Sequence, residues 1–395
     1  MNRQFLRNIA DIQTGPFGSQ LHKEDYVDVG TPIVTVEHLG NRVFTEQNLP
    51  KVSDKDKIRL SKYILKEGDM VFSRVGSVDR CSYVDAAHDG WMFSGRCLRV
   101  RPNAEIVPLY LYYFFCLEDT KQFVRNIAVG ATMPSINTKL LGEVEVTYPS
   151  LTEQQKIVAL LSALDDKIET NQKVNDNLEQ QAQSYFQELF VDNADPKWAT
   201  GTISDLGAVI GGSTPSKAKP EYYTEAGIAW ITPKDLSINK SKFISHGEND
   251  ITELGLKNSS AAIMPEGTVL FSSRAPIGYI AIAAGEVTTN QGFKSVIPKP
   301  EIGTPFVYFF LKHNLPVIEG MASGSTFKEV SGSTMKNVPA VIPDFESLSR
   351  FNDFCAPIFA QQRILEEQNH SLATLRDELL PKLMSGEIDV SDIQI

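Results

Sequence analysis

Small polar and basic side chains are concentrated in two turn-rich stretches of the 395-residue chain. The first opens with Thr14-Gly15-Pro16-Phe17-Gly18 and the second with Gly211-Gly212-Ser213-Thr214-Pro215. Hydroxyl, amide and basic groups on exposed turns can bind phosphates or the base edges of nucleic acid. The candidates for such contacts are Ser19, Gln20, His22 and Lys23 in the first stretch and Ser213, Thr214, Ser216, Lys217 and Lys219 in the second. Solvated loop surface is the competing interpretation for each of them.

Two arginines follow similar strand-like segments, Arg74 after Met70-Val71-Phe72-Ser73 and Arg274 soon after Val269-Leu270-Phe271-Ser272. Arginine can donate two parallel hydrogen bonds to guanine. An ion pair within the fold is the alternative role. Three further candidates, Thr132, Ser325 and Thr326, belong to Gly-Ala-Thr and Gly-Ser-Thr sequences that occur in both halves of the chain. Because these sequences are shared, they indicate a common turn or backbone contact more than a choice of base.

Sequence signatures of catalysis are missing. The chain has no Asn/Asp-Pro-Pro-Tyr/Phe motif of amino-methyltransferases, no glycine-rich nucleotide fingerprint and no Gly-x-x-x-x-Gly-Lys-Ser/Thr loop. The six histidines lack metal-ligand spacing, and the four cysteines form no Cys-x-x-Cys pair. We therefore expect no catalytic residue, no metal site and no cofactor bound by this chain, and we expect reduced, structural cysteines.

The elements that must position these residues include a long helix from Thr152 to Phe190. Its apolar residues alternate at intervals of four and three, as in a coiled-coil seam, and its length is on the order of 57 Å. Asparagines at two seam positions indicate a fixed register, and Thr152-Glu153-Gln154-Gln155 predicts a capping box at its start. The predicted seam residues of this helix and its later counterpart are Ile157, Leu161, Leu164, Ile168, Asn171, Asn175, Leu178, Leu189, Leu365, Asn369, Leu372, Leu379 and Leu383.

The same pattern returns 194 positions later, so that Ile157 corresponds to Phe351 and Asn175 to Asn369. The sequence therefore predicts an α+β fold made by tandem duplication. It has two mainly-β domains, each followed by a long helix, and the two helices pack as an antiparallel coiled coil. The predicted boundaries are 1–151 and 192–345 for the domains, 152–191 and 346–386 for the helices, and 387–395 for a tail.

Antiparallel packing about the helix centres places Asn175 near Gln362 and Asn369 near Ile168. Pro357 predicts a kink or a late start in the second helix. A third segment, Pro108 to Leu117, contains four consecutive aromatic residues. Proline followed by unbroken apolar residues favours a buried core helix over a base-stacking platform.

The net charge of −11 has the wrong sign for a free-standing nucleic-acid binder. Nine of the eleven excess negative charges lie in residues 152–191 and 345–395. The globular parts are thus nearly neutral, and the helices are better suited to contact protein than phosphates. No apolar run approaches the roughly 18 residues of a membrane span, so we expect a soluble, cytoplasmic protein.

The chain resembles the specificity subunit of type I restriction-modification systems over essentially its whole length. The resemblance lies in the two loop openings given above, in Pro149-Ser150-Leu151-Thr152-Glu153-Gln154-Gln155-Lys156-Ile157 and in Leu379-Leu380-Pro381-Lys382-Leu383-Met384-Ser385-Gly386-Glu387-Ile388. It implies two target recognition domains that each read half of a split double-stranded DNA sequence, and spacer helices that dock two methyltransferase subunits. It also implies S-adenosylmethionine bound by the methyltransferase subunits, and restriction subunits that use ATP and Mg.

Two other classes of function stay open. One is a protein-interaction scaffold, which would show no salt-dependent affinity for duplex DNA when a methyltransferase partner is present. The other is a stand-alone enzyme, which turnover without partner subunits would reveal.

Overall fold

The computed structural model describes residues 1–16, 20–324 and 328–392. The chain divides into two compact units: unit 1 comprises Met1–Asp166 and Leu372–Ile395, and unit 2 comprises Lys167–Ser371. Because the division falls inside both long helices, each unit holds a globular part and one portion of each helix.

Unit 1 contains three small sheets. Its strands are β1 (Asn2–Phe5), β2 (Ala10–Thr14), β3 (Tyr26–Val27), β4 (Thr31–Val34), β5 (Lys51–Val52), β6 (Met70–Ser73), β7 (Cys81–Tyr83), β8 (Met92–Phe93), β9 (Cys97–Pro102) and β10 (Glu145–Tyr148). Its helices are α1 (Leu6–Ile9), α2 (Asp54–Arg59), α3 (Pro108–Cys116), α4 (Glu118–Ile127), α5 (Thr138–Gly142) and the start of α6 (Leu151–Gln187). The strand orders are β2-β9-β6-β7, β3-β5-β4-β8 and β1-β10, with β4 and β8 parallel.

Unit 2 repeats this plan. Its strands are β11 (Ala199–Thr202), β12 (Gly207–Gly211), β13 (Tyr223–Thr224), β14 (Ile228–Ile231), β15 (Phe243–Ile244), β16 (Asn249–Ile251), β17 (Val269–Ser273), β18 (Ile277–Ala283), β19 (Thr288–Thr289), β20 (Lys294–Pro298) and β21 (Pro339–Ile342). Its helices are α7 (Ile203–Leu206), α8 (Pro233–Ile238), α9 (Glu253–Lys257), α10 (Thr304–His313), α11 (Leu315–Gly320), α12 (Gly332–Lys336) and the start of α13 (Phe345–Ser385). The orders β12-β20-β17-β18-β15, β13-β16-β14-β19 and β11-β21 match those of unit 1, except that β15 extends the first sheet. The predicted α+β fold with tandem duplication is confirmed.

Helix α3 and its counterpart α10 form the centre of each core. Residues 110–115 of α3 and 306–311 of α10 are all buried, so the aromatic run is core, as its sequence predicts. The thiols of Cys97 and Cys355 are free and buried, and burial raises the pKa of each to about 12. Such thiols stay protonated and act as small apolar groups.

The start of α6 differs from the predicted capping box at Thr152. Ser150 is the capping residue: its Oγ accepts from Glu153 N at 3.4 Å, and its own N–H donates to Glu153 Oε2 at 3.0 Å. Thr152 and Gln155 have the same three-residue spacing, but in the earlier pair the acceptor is the carboxylate of Glu153, which makes stronger, charge-assisted hydrogen bonds than an amide. The far end of α6 continues into a π-helical turn, Glu188–Asp192.

The late start that Pro357 predicted for the second helix is wrong. Helix α13 begins at Phe345 and continues through the proline without interruption. A proline nitrogen cannot donate to the carbonyl four residues earlier, here that of Asp353. Since Asp353 is exposed, water can bind that carbonyl instead.

In unit 1 the long helices pack into the same core as α3. Ile157 and Leu161 of α6 and Leu383 of α13 are buried, whereas Leu164, Leu372 and Leu379 are half-buried. Asp165 accepts from Tyr113 OH at 2.6 Å and pairs with Arg376 at 2.7 Å. A buried carboxylate therefore joins α3, α6 and α13.

In unit 2 the seam is polar at its predicted positions. Asn171 Nδ2 donates to Asn369 Oδ1 at 2.9 Å, and Gln362 Nε2 donates to the carbonyl oxygen of Asn175 at 3.1 Å. The Asn175–Gln362 contact is the neighbour pair predicted for antiparallel packing. The other predicted seam residues here are buried or half-buried: Ile168, Leu178, Leu189 and Leu365. Phe186, which the seam pattern omitted, is also buried.

Candidate nucleic-acid interface

Four segments of unit 1 meet at one edge of the β2-β9-β6-β7 sheet. We call residues 15–16, 74–76, 94–96 and 129–135 the first edge. The N–H of Arg74 donates to the carbonyl of Arg96 at 2.8 Å, and the N–H of Ile136 donates to the carbonyl of Arg74 at 2.9 Å. These bonds hold three of the four segments against the end of β6.

Glycine is required at position 15, where the loop that follows β2 passes the first edge. A Cβ at Gly15 would collide with the carbonyl of Ser94. In unit 2, a Cβ at Gly212 would collide with the carbonyls of Thr289 and Asn290. Both turn-rich stretches therefore begin with a glycine that permits close approach of two backbones.

The first edge presents two arginines. Arg74, a predicted candidate, is half-buried, and its Nη1 donates to the carbonyl of Gly95 at 3.0 Å. Arg96 is exposed, and no hydrogen-bond or ion-pair partner for its side chain is found among the described residues. Arg96 was not among the sequence candidates. The sequence could have indicated Arg96, because this arginine ends the short turn Ser94-Gly95-Arg96 directly before β9.

The other candidates of the first stretch are placed differently. Gln20 Oε1 accepts from Tyr63 OH at 2.5 Å and its carbonyl from Arg59 at 2.8 Å, so this side chain has a structural role. His22 and Thr132 are exposed. Ser19 lies outside the described residues. Lys23 begins a 3-10 turn, Lys23–Asp25, and its side chain is likewise outside the described part.

Unit 2 has an equivalent second edge, which we define as residues 212–214, 273–274, 290–292 and 323–324 with 328–329. The N–H of Ser273 donates to the carbonyl of Gly292 at 2.7 Å, and the N–H of Val330 donates to the carbonyl of Ser273 at 3.0 Å. These are the same two bonds that Arg74 makes in unit 1. Ser273 is therefore the counterpart of Arg74.

The alignment of Met70-Val71-Phe72-Ser73 with Val269-Leu270-Phe271-Ser272 likewise puts Ser273 opposite Arg74. Arg274 lies one residue beyond the position of Arg74. The two edges thus carry arginines at different positions on one backbone frame.

Some of the predicted residues of the second stretch have hydrogen-bond or ion-pair partners within the protein. Ser213 accepts from Trp230 Nε1 through its carbonyl at 3.0 Å, and Thr214 Oγ1 donates to Gln291 Oε1. Ser216 and Lys217 are exposed, and Lys219 pairs with Glu221 at 3.6 Å. Arg274 pairs with Glu329 at 3.4 Å. The remaining two candidates, Ser325 and Thr326, lie outside the described residues.

Two further findings concern other classes of site. Among residues 1–16, 20–324 and 328–392, no three His, Cys, Asp or Glu side chains are grouped so as to hold a metal ion. Within the same residues, no helix combines the length and apolar character needed to cross a bilayer.

Comparison with known proteins gives two matches to one family. A family model described as "Type I restriction modification DNA specificity domain" matches residues 3–180 and again residues 196–369. The chain is 41% identical over 191 residues to the Type I restriction enzyme MjaIX specificity subunit of Methanocaldococcus jannaschii, a match that covers 46% of this chain and 44% of that protein. The chain thus spans less than half the length of that relative.

A longer match is to the Type I restriction enzyme HindI specificity subunit of Haemophilus influenzae. It is 25% identical over 414 aligned positions, which cover 85% of this chain and 89% of that protein. Among solved structures, the S subunit of a type I restriction-modification system from M. genitalium aligns with 97% of this chain and 95% of its own, with a TM-score of 0.60 and 17% identity. This last likeness shows the fold.

Proposed function

The chain belongs to the type I restriction modification DNA specificity family, and from this premise we propose that its two edges each read one half of a split double-stranded DNA target. The proposed recognition domains are residues 1–151 and 192–345, each with one edge. The chain is a recognition subunit, and methylation and cleavage belong to its partners.

A single observation carries this proposal: the two edges share a backbone frame but differ in side chains. The bond from Arg74 to Arg96 in the first edge corresponds to the bond from Ser273 to Gly292 in the second. A constant frame with different side chains is what two half-sites of different sequence require, because bases are read by side chains and the frame only positions them.

The exposed groups suit base reading. Arg96 and Arg274 can each donate two hydrogen bonds to the O6 and N7 atoms of guanine, and the exposed Gln291 can pair with adenine. Lys217 and Lys219, both exposed in the loop that follows residues 212–214, are the proposed phosphate contacts. Discrimination on the order of 1–3 kcal/mol is expected for each such base contact.

The long helices are the proposed docking surface for two methyltransferase subunits. Their first residues, Leu151 and Phe345, occupy the same position of the repeat, and their side chains are 46% and 72% exposed. Two equivalent apolar sites suit two copies of one partner. In this arrangement the methyltransferase subunits bind S-adenosylmethionine, and restriction subunits, when they join, use ATP and Mg.

The test is a single-molecule methylation map of the host genome with the gene intact, deleted and restored. We expect deletion to remove one split adenine motif and restoration to return it, giving both half-sites and the gap between them. A map that stays unchanged while the methyltransferase subunit is produced would contradict the proposal.

Binding to duplex DNA separates this function from a protein scaffold. The complex with the methyltransferase subunit should bind its target with an affinity that falls steeply as salt rises. A complex whose assembly is intact but whose binding to duplex is absent would favour the scaffold instead.

A further inference from the structure

A carboxylate stands among the cations of the second edge. Glu329 Oε2 lies 3.4 Å from Arg274 Nη1, and Glu329 Oε1 lies 3.7 Å from Lys294 Nζ. The side chains of Glu329 and Arg274 are 39% and 38% exposed. One half-exposed carboxylate therefore faces two cations, the half-exposed Arg274 and the largely buried Lys294, and the exposed Lys328 precedes it in the chain.

The pair is loose compared with other ion pairs of this chain. Arg125 and Asp79 approach to 2.6 Å, and Arg376 and Asp165 approach to 2.7 Å, the distances expected of charge-assisted hydrogen bonds. Exposed pairs with longer contacts contribute little stability. An external acceptor, such as a guanine or a phosphate oxygen, can thus replace Glu329 at small cost.

The fold does not need a carboxylate at this position. The counterpart of Glu329 in unit 1 is Ser135, and the backbone is the same: Ser135 N donates to Val129 O at 2.8 Å, as Glu329 N donates to Ser323 O at 2.8 Å. The negative charge is therefore specific to the second edge, and its effect falls on neighbouring cations.

Those cations act on each other. Burial lowers the pKa of Lys294, the Glu329 carboxylate opposes that shift, and the charge of Arg274 adds to it. Without Glu329, the positive charges of Arg274, Lys328 and the largely buried Lys294 would stand at this edge with no carboxylate among them and would attract any phosphate nearby, whatever the DNA sequence.

We propose that Glu329 is a specificity-determining residue: it holds Arg274 and Lys294 and repels unmatched DNA, and it is displaced only when base acceptors of the correct half-site replace it. This inference rests on the proposed function of the second edge. It extends that function by assigning the rejection of non-specific DNA to one side chain.

The test uses the full chain assembled with its methyltransferase subunit. The variants are Glu329→Gln, which removes only the charge, and Glu329→Ser, which installs the residue found in the first repeat. Glu253→Gln is the matched control, because Glu253 loses the same charge from an exposed pair with Lys257 outside the edge. Fluorescence anisotropy measures binding to a duplex with the mapped target and to one with neither half-site, over a series of salt concentrations.

Both Glu329 variants should bind the non-specific duplex about fivefold more tightly, the effect of one unit charge near 4 Å in water. Their plots of log affinity against log salt should steepen by about one unit, as expected for one more phosphate contact. Affinity for the target should change less, so the ratio of specific to non-specific binding falls.

Three results would overturn the inference. If non-specific affinity and salt slope match those of Glu253→Gln while the target is still bound, Glu329 does not repel DNA. If the variants lose target affinity alone, Glu329 contacts a base. If the wild-type complex binds neither duplex, the proposed function itself fails, and the inference fails with it.

Discussion

Lys242 is a buried cation that joins the sheet of unit 2 to both long helices. Its Nζ donates to Gln362 Oε1 of α13 at 2.7 Å, lies 3.9 Å from the centre of the Phe359 ring and pairs with Glu179 of α6. Its backbone N–H donates to Glu366 at 2.7 Å. A buried charge destabilises the fold strongly when it loses its partner of opposite charge. The network therefore fixes how β15 packs on the helices.

Replacing Glu179 with alanine should cost about 3 kcal/mol or more in free energy of unfolding, because Lys242 would keep a buried charge without its carboxylate. Lys242→Met should cost less, since Lys312 still pairs with Glu179 at 2.5 Å. Urea unfolding of the purified chain measures both. Glu188→Ala, an exposed change in the π-helical turn that follows α6, should stay within about 0.5 kcal/mol of wild type. Equal losses for Glu179→Ala and this control would contradict the prediction.

The same network gives a pH dependence. Burial raises the pKa of Glu179, but Lys242 and Lys312 lower it by more, so its pKa is below the ordinary value of 4.5. A carboxyl group with a lowered pKa stabilises the fold above its unfolded pKa and loses that contribution as pH falls through the folded pKa. Below pH 4.5 the stability of wild type should therefore fall towards that of Glu179→Ala.

Arg96→Ala should weaken binding of the mapped target by the assembled complex on the order of 10- to 100-fold, the value of one guanine contact. If Arg96 reads a base, affinity for a duplex with neither half-site should change little. If affinity falls equally for both duplexes, and the plot of log affinity against log salt becomes shallower by about one unit, Arg96 contacts a phosphate. The control is Arg7→Ala, an arginine paired with Glu143 outside the edge. Binding equal to the control would show that Arg96 contacts nothing.

The contacts of single residues such as Arg96 and Lys242 could not be predicted from the sequence. The candidate loops were found because glycine and small polar residues mark turns. Lys242 has no periodicity or motif, Arg96 is marked only by the short turn that ends at it, and the neighbours of both come from distant segments. The contacts of Arg74 with Gly95 and of Arg274 with Glu329 join segments distant in the chain, so the sequence could not assign them.

At the scale of elements, the helices carry the most predictable information. Two asparagines in an apolar seam indicated register, and the contact between Asn175 and Gln362 is found as expected. The capping residue of α6 is Ser150 and not Thr152, and of the two alternatives for Pro357 the late start is wrong, because α13 continues through the proline. Helix ends depend on single side chains and on solvent, whereas the seam depends on many residues at once.

The hydrogen bond between Asn171 and Asn369 can be tested by a double-mutant cycle. Asn171→Leu alone should destabilise the chain by about 1–3 kcal/mol, because it leaves the amide of Asn369 without its partner. Asn171→Leu with Asn369→Leu should recover most of that loss, giving a coupling energy above about 0.5 kcal/mol. Urea unfolding of the four proteins measures the coupling. Additive losses would mean that the two amides do not act together.

For the whole molecule, the tandem repeat supplies two equivalent sites, as the proposed reading of a split target requires. Both units have the same sheet orders and the same helix at the centre of the core. This framework was predictable, since buried positions recur at a fixed interval in the sequence. The loops were not, because their residues differ between the copies and follow no repeat interval.

The proposed spacing role of the helices predicts the outcome of a paired deletion. Removing residues 168–174 from α6 and the facing residues 367–373 from α13 takes Asn171 and Asn369 out together. The deleted ranges lie between the Asp165–Arg376 and Asn175–Gln362 contacts, which stay in the chain. A heptad is about 10 Å of helix and nearly two whole turns. The seam residues on either side of the deletion therefore still point towards the partner helix.

We expect the gap between the two methylated half-sites to shorten by about three base pairs, since B-DNA rises about 3.4 Å per pair, while both half-site sequences stay the same. A methylation map of cells that carry the variant measures the gap directly. Deleting the heptad from α6 alone is the control, because it puts the facing seams out of register and should abolish methylation. An active paired variant with an unchanged gap would mean that helix length does not set the spacing, and that the separation of the half-sites is fixed by the partner subunits.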